Sequence, residues 1–233
     1  MAELQEEKNA SIDVQEQLDK AELFFEKNKK TIGIVGGVIL GIAALISAYK
    51  FWYIPSEDAK AQAEIFMAQQ YFEKDSLDLA LNGGTVAGQS FTGLLEVADN
   101  YGMTPTGNLA EYMIGTILLK KGKFEEAIER LSNFSTDDIM ISTVAIGAIG
   151  DAHSELKHNE EALKFYLKAA NMNSNEFTTP LYLKKAGLVY EVQKEYSEAA
   201  KVYERIKKEF NKSTEARDIE KYISRAKVAG NIE

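Results

Sequence analysis

Cysteine is absent from the 233 residues. That excludes disulfides, thiolate metal sites and cysteine nucleophiles, but leaves the compartment open, because a chain without thiols tolerates reducing and oxidising surroundings alike. Histidine is scarce. The two present, His153 and His158, are five positions apart, about 140° around a helix, and a pair so disposed does not readily share a metal. No Gly-rich phosphate loop, nucleophile elbow or zinc-protease pattern occurs. The expectation is a protein that is not an enzyme, with no catalytic residue, no cofactor and no metal. Lys and Arg number 27 against 36 Asp and Glu, a formal net charge of −9. Without a basic stripe to displace counterions from a phosphate backbone, nucleic acid is not an expected partner. Only three prolines interrupt a composition rich in Ala, Leu, Glu and Lys, which predicts an all-α protein.

Against these absences stands one long apolar run. From Thr31 to Tyr49 no side chain is charged, and the candidate span 31 to 53 is 23 residues long, enough at about 1.5 Å per residue to cross roughly 30 Å of hydrocarbon. A cleaved export signal has a short basic start and a shorter apolar core. Here thirty residues precede the run, and bulky Tyr49, Phe51, Trp52 and Tyr53 close it, so an uncleaved transmembrane helix in contact with lipid is expected. Lys27, Lys29 and Lys30 lie on the N-terminal side, and the positive-inside bias puts residues 1 to 30 in the cytoplasm. Within that leader Val14, Leu18, Ala21 and Phe25 recur at helical spacing, an amphipathic helix. Gly33, Gly37 and Gly41 recur every four residues. They either form a small-residue face for packing a second membrane helix or reflect the ordinary glycine content of spans.

Beyond Pro55 the informative feature is repetition. Three segments align, near 108–135, 143–173 and 180–210, with Gly115, Gly150 and Gly187 at one equivalent position and Ala127, Ala162 and Ala199 at another, twelve residues on. The offsets between units are 35 and 37 residues. A weaker copy near 61–83 places Ala68 and Ala80 at the same spacing, and a polar-faced helix over 213–230 is expected to cap the stack. Small residues let the two helices of a hairpin approach, and large ones around them fill the crossing. His153 falls among the latter and reads as a core or groove-edge side chain. Between the first two copies, "GTVAGQSFTGLLEVADNYGMTPTG" reads as a flexible connector followed by a short helix.

The pattern resembles the tetratricopeptide repeat, whose period is about 34 residues. With the apolar run read as a single N-terminal transmembrane helix, the resemblance implies that a tetratricopeptide-like α-solenoid follows over 54–233. In such arrays the first helix of each hairpin lines a concave surface. That geometry assigns Tyr112, Thr116, Leu119, Asp151, Ser154, Lys184, Leu188 and Glu191 to a protein-binding groove. The set mixes apolar and charged groups without a basic clamp, which suits extended protein surface or unfolded chain.

The order of parts, a leader, an anchor with an aromatic exit, "YFEKDSLDLALNG", then "LLEVADNYGMTPTGNLAEYMIG" and the hairpins, resembles the YfgM family, ancillary subunits of the bacterial SecYEG translocation channel, in its Bacteroidota-like form. The resemblance covers about residues 20–215 and is most specific over 71–119. It implies a non-catalytic, single-pass inner-membrane protein with its repeat domain in the periplasm. The implied partners are the SecYEG translocon, a PpiD-like membrane-anchored chaperone and emerging unfolded secretory clients. A general cell-envelope scaffold for another assembly machine, and a cytosol-facing receptor on an organelle membrane, are the competing readings.

Overall fold

The computed structural model describes the backbone from Ala2 to Glu233, with side chains at Leu18, Lys20 and from Glu22 onward. The chain is mostly helical and forms two compact units, Met1–Ser56 and Glu57–Glu233.

In the first unit, helix α1 spans Ala2–Ala48 and is followed by a π-helical turn, Tyr49–Tyr53. The Ile54 amide donates to the Tyr49 carbonyl five residues back, and the Tyr49 and Tyr53 rings stack at 5.4 Å. Among the described residues, one helix near the N-terminus is long and apolar enough to cross a membrane. Its most apolar window has a mean hydropathy of 2.3, and none of that window is buried. Of the leader's apolar stripe, Val14 and Ala21 lie outside the described side chains, while Leu18 and Phe25 are exposed.

The second unit is built from paired helices in chain order. Helix α2 (Ile54–Glu73) leads to α3 (Leu77–Asn82); a hairpin of β1 (Gly83–Val86) and β2 (Gln89–Thr92) follows, then α4 (Leu94–Tyr101). After these come α5 (Pro105–Lys120) with α6 (Phe124–Asn133), α7 (Ile139–Glu155) with α8 (Asn159–Met172), and α9 (Thr178–Val192) with α10 (Tyr196–Glu209). A 3₁₀ turn (Glu215–Asp218) precedes α11 (Ile219–Gly230). Each helix from α4 onward packs against the next, and α7 also meets both α5 and α9.

Local chemistry explains the boundaries. The Thr104 hydroxyl caps α5 by accepting from the Gly107 amide, with Pro105 in the first turn. Asp138 caps α7 by accepting from the Met140 and Ile141 amides. Helices α6 and α8 open with Glu125, Glu126 and Glu160, Glu161, where carboxylates favour the helix dipole.

The turn inside each pair is the same object. Asp75, Gly122, Lys157 and Lys194 hold positive φ (57°, 73°, 62° and 62°). At each, the left-handed residue's amide bonds the carbonyl three back and the next amide the carbonyl five back, as in Gly122 to Leu119 and Lys123 to Leu118. This left-handed end turns the chain back on itself.

The crossing inside each hairpin is also repeated. A β-carbon built on Gly115 would lie 2.5 Å from the Leu131 side chain, and one on Gly150 2.7 Å from the Tyr166 ring; on Gly187 it would overlap Tyr203. Each large partner sits sixteen residues after its glycine (115 to 131, 150 to 166, 187 to 203). Ala127, Ala162 and Ala199 are fully buried beside these contacts, so bulk from one helix fills space left by the other.

The first copy departs from this plan. Counting sixteen from Ala68 reaches Gly84, which offers no side chain to fill the crossing, and α3 is only six residues long. The expected flexible connector is instead the β-hairpin. Ala87 and Gly88 at φ 53° and 81° form its two-residue turn, the geometry whose twist matches paired strands. Phe91 stacks on Tyr71 at 5.0 Å, pinning the hairpin to α2. At the C-terminus the expected helix over 213–230 begins as a 3₁₀ turn, since the buried Ser213 hydroxyl accepts from the Ala216 amide. Ile219, Ile223 and Ala226 of α11 then cover α10.

Candidate functional site

The C-terminal halves of α5 and α7, the turns that follow them, and α9 enclose a groove of about 750 Å³. Leu119, Phe124, Leu188, Val189 and Val192 supply its apolar wall. Leu188 is 40% exposed and Val192 68%, so these two face solvent while Val189 is buried behind them.

The floor is polar and internally paired. Asp151 on α7 receives the Lys185 ammonium of α9 at 2.6 and 2.8 Å and the Tyr166 hydroxyl of α8 at 2.8 Å. The Lys185 ammonium stands 5.7 Å from the ring centres of both Tyr166 and Tyr182, within cation–π range. Burial, reinforced by the neighbouring Asp151 charge, pushes the Tyr182 phenol up to about 12. The same causes, with the hydrogen bond to Asp151, raise Tyr166 further. Both phenols therefore stay protonated near neutral pH. Tyr166 and Lys185 together tie α8 and α9 to the Asp151 carboxylate of α7, and the lining also includes the exposed charged residues Lys120, Glu155 and Lys157.

Four of the eight sequence-predicted groove residues, Leu119, Asp151, Ser154 and Leu188, line this space. The other four lie elsewhere. Tyr112 packs its ring against Phe134 at 5.2 Å, and the Thr116 hydroxyl donates back to the Tyr112 carbonyl within α5. Lys184 reaches Asp218 at 3.0 Å and stands 4.5 Å from the Tyr222 ring centre. Its own burial opposes the charged form, but the Asp218 bond and charge, aided by Tyr222, outweigh that and leave its pKa raised. Glu191 takes Arg225 at 2.8 Å. The C-terminal segment thus satisfies Lys184 and Glu191 on a flank of α9 away from the groove.

Sequence reasoning missed Lys185, Tyr166 and Val192. The signal for Lys185 was the repeat itself, because Asp151 and Lys185 are opposite charges 34 residues apart, as are Lys184 with Asp218 and Arg225 with Glu191. Neighbouring units are therefore bridged by side chains one repeat apart.

The two histidines need a correction. His158 does not share a helix with His153; it precedes α8, beyond the left-handed Lys157, so the helical angle between them does not apply. The rings lie 5.8 Å apart, with His153 stacked on Phe165 at 5.4 Å. Burial lowers the His153 pKa, with His158 adding to the effect and Glu161 opposing it.

In the first unit, β-carbons added at Gly33, Gly37 or Gly41 would meet nothing within 4 Å. No protein-family model matches the chain, and none of the curated proteins compared with it does.

Proposed function

We propose that the chain is a non-catalytic, membrane-anchored scaffold or chaperone-like adaptor of the SecYEG translocation channel, binding a PpiD-like chaperone, emerging clients, or both, through the α5–α7–α9 groove. In this reading residues 1–30 are cytoplasmic, 31–53 cross the inner membrane, and 54–233 form a tetratricopeptide-like α-solenoid in the periplasm. The carrying observation is an exposed apolar wall, Leu188 with Val192, over a floor whose charges already satisfy one another. Such a surface favours apolar chain over a defined charged ligand. The repeated glycine crossings and left-handed turns support the solenoid reading, and the resemblance to the YfgM family supplies the machine. Tethering at a channel exit raises local concentration, so weak contacts suffice.

A photo-crosslinking residue at Leu188 in intact bacterial cells tests the groove. Adducts to a SecYEG subunit, a PpiD-like chaperone or a nascent secretory chain are expected; adducts only to components of another envelope machine favour the general scaffold. Protease added to spheroplasts should digest residues 57–233, whereas a cytosol-facing domain stays protected. If the glycine face packs on a partner helix, leucines at Gly33, Gly37 and Gly41 weaken co-purification of those partners.

A further inference from the structure

The turn that joins α7 to α8 forms one edge of the groove, where Ser154, Glu155, Lys157 and Asn159 all line it. The two histidines of the sequence stand in this same stretch, at 153 and 158. They are joined across the turn twice. The His158 amide donates to the His153 carbonyl at 2.9 Å, beside the left-handed Lys157, and the two rings lie 5.8 Å apart. The His153 ring also stacks on Phe165 of α8 at 5.4 Å. Its Nδ1 is buried and, among the described residues, has no hydrogen-bond partner.

Protonation works against this arrangement. A neutral imidazole can leave Nδ1 as a bare acceptor, whereas the cation carries N–H at both nitrogens, so charging His153 strands a buried donor. Charging both rings also sets like charges 5.8 Å apart. Two charged groups act on His153: Glu161 of α8 favours the cation and His158 of the turn disfavours it, and no charge of α5, α6 or α9 is among them. Water reaches the buried Nδ1 only if the turn opens. Histidine changes charge between about pH 5 and 8, while burial keeps the Tyr166 and Tyr182 phenols of the floor protonated throughout that range. The turn is therefore the part of the groove that mild acid reaches. We propose that the His153–His158 pair is a pH-sensitive latch on the groove. Neutral, it closes the α7–α8 turn and holds the groove edge in place; protonated, it opens the turn and weakens the binding of apolar chain. This rests on the reading that the groove binds apolar chain, and adds a control on it.

The test uses a rhodamine-labelled peptide of leucine and serine with capped termini, so that its own charge does not change with pH. Its affinity for the full-length chain in zwitterionic nanodiscs, empty nanodiscs subtracted, is measured at about pH 7.5 and about pH 5.5. The wild type is expected to bind at least about threefold more weakly at the lower pH. His153→Phe, which keeps a ring on Phe165 and removes the proton site, should bind equally at both. His158→Gln, at an exposed position, removes the repulsion alone and should reduce the difference. A wild type indifferent to pH, or an undiminished difference in either variant, overturns the latch. Leu188→Lys separates the two claims, since it should lose binding at both pH values; binding that persists there overturns the groove reading instead. Circular dichroism of the wild type is expected to match at the two pH values, and loss of helix at the lower one would replace the latch with unfolding and overturn it.

Discussion

The ring of Tyr203 occupies the space that a β-carbon on Gly187 would need, and Tyr203 is fully buried. Gly187→Ala therefore overpacks the α9–α10 crossing and should destabilise by about 1–3 kcal/mol. An exposed mid-helix glycine would behave oppositely, gaining about 0.5–1 kcal/mol with alanine. Thermal melting followed by circular dichroism checks the sign. Combining Gly187→Ala with Tyr203→Leu should cost less than the two single changes together, because the second relieves the clash made by the first.

Asp58 holds the start of α5. Its carboxylate accepts from the buried Thr106 amide at 2.8 Å and from Gln62 at 2.7 Å. Burial pushes its pKa up, but the Thr106 amide and the other bonds outweigh that and leave it below the ordinary 3.8. A lowered folded pKa means a contribution fully present above the unfolded value and lost as pH falls through the folded one. Asp58→Ala strands the Thr106 amide and should cost about 1–2 kcal/mol at neutral pH, whereas Asp58→Asn retains an acceptor and should cost less. Melting temperatures near pH 7 and below about pH 4 measure both effects; equal melting of the alanine and wild-type chains near pH 7 contradicts the role.

His153 acts in a higher pH window. Its folded pKa lies below the ordinary 6.5, chiefly through burial, so the unfolded chain takes up the proton first as pH drops. The stabilising term is present above 6.5 and disappears as pH falls through the folded value. His153→Phe preserves stacking on Phe165 and removes the proton site. The melting temperature of the variant should fall less than that of the wild type between about pH 7.5 and about pH 5.5. Parallel curves would contradict this assignment.

How much of this was legible in the residues varies by scale. The helix pairs were, because each depends on local signals: a glycine or alanine at the crossing, a polar turn, and an acidic first turn. The β-hairpin was not. Its turn is made by Ala87 with Gly88, and alanine at positive φ carries no compositional warning. The groove was half legible. Leu119, Asp151, Ser154 and Leu188 follow from their positions on first helices, but the docking of the C-terminal segment that removes Lys184 and Glu191 is a long-range event. So is the turn of Tyr112 toward Phe134. Tyr166 belongs to a second helix and enters the floor only because its hydroxyl reaches Asp151 on the first.

The proposed function rests on the groove connecting this chain to protein translocation. Quantitative mass spectrometry after mild-detergent purification of the tagged full-length chain tests it most directly, comparing wild type with Leu188→Lys plus Val192→Lys. Both side chains are exposed, so the double change should leave melting within about 0.5 kcal/mol of wild type. SecYEG subunits and a PpiD-like chaperone are expected with the wild type, and their recovery is expected to fall about tenfold or more in the variant. Recovery of neither with the wild type, or equal recovery with both chains, would contradict it.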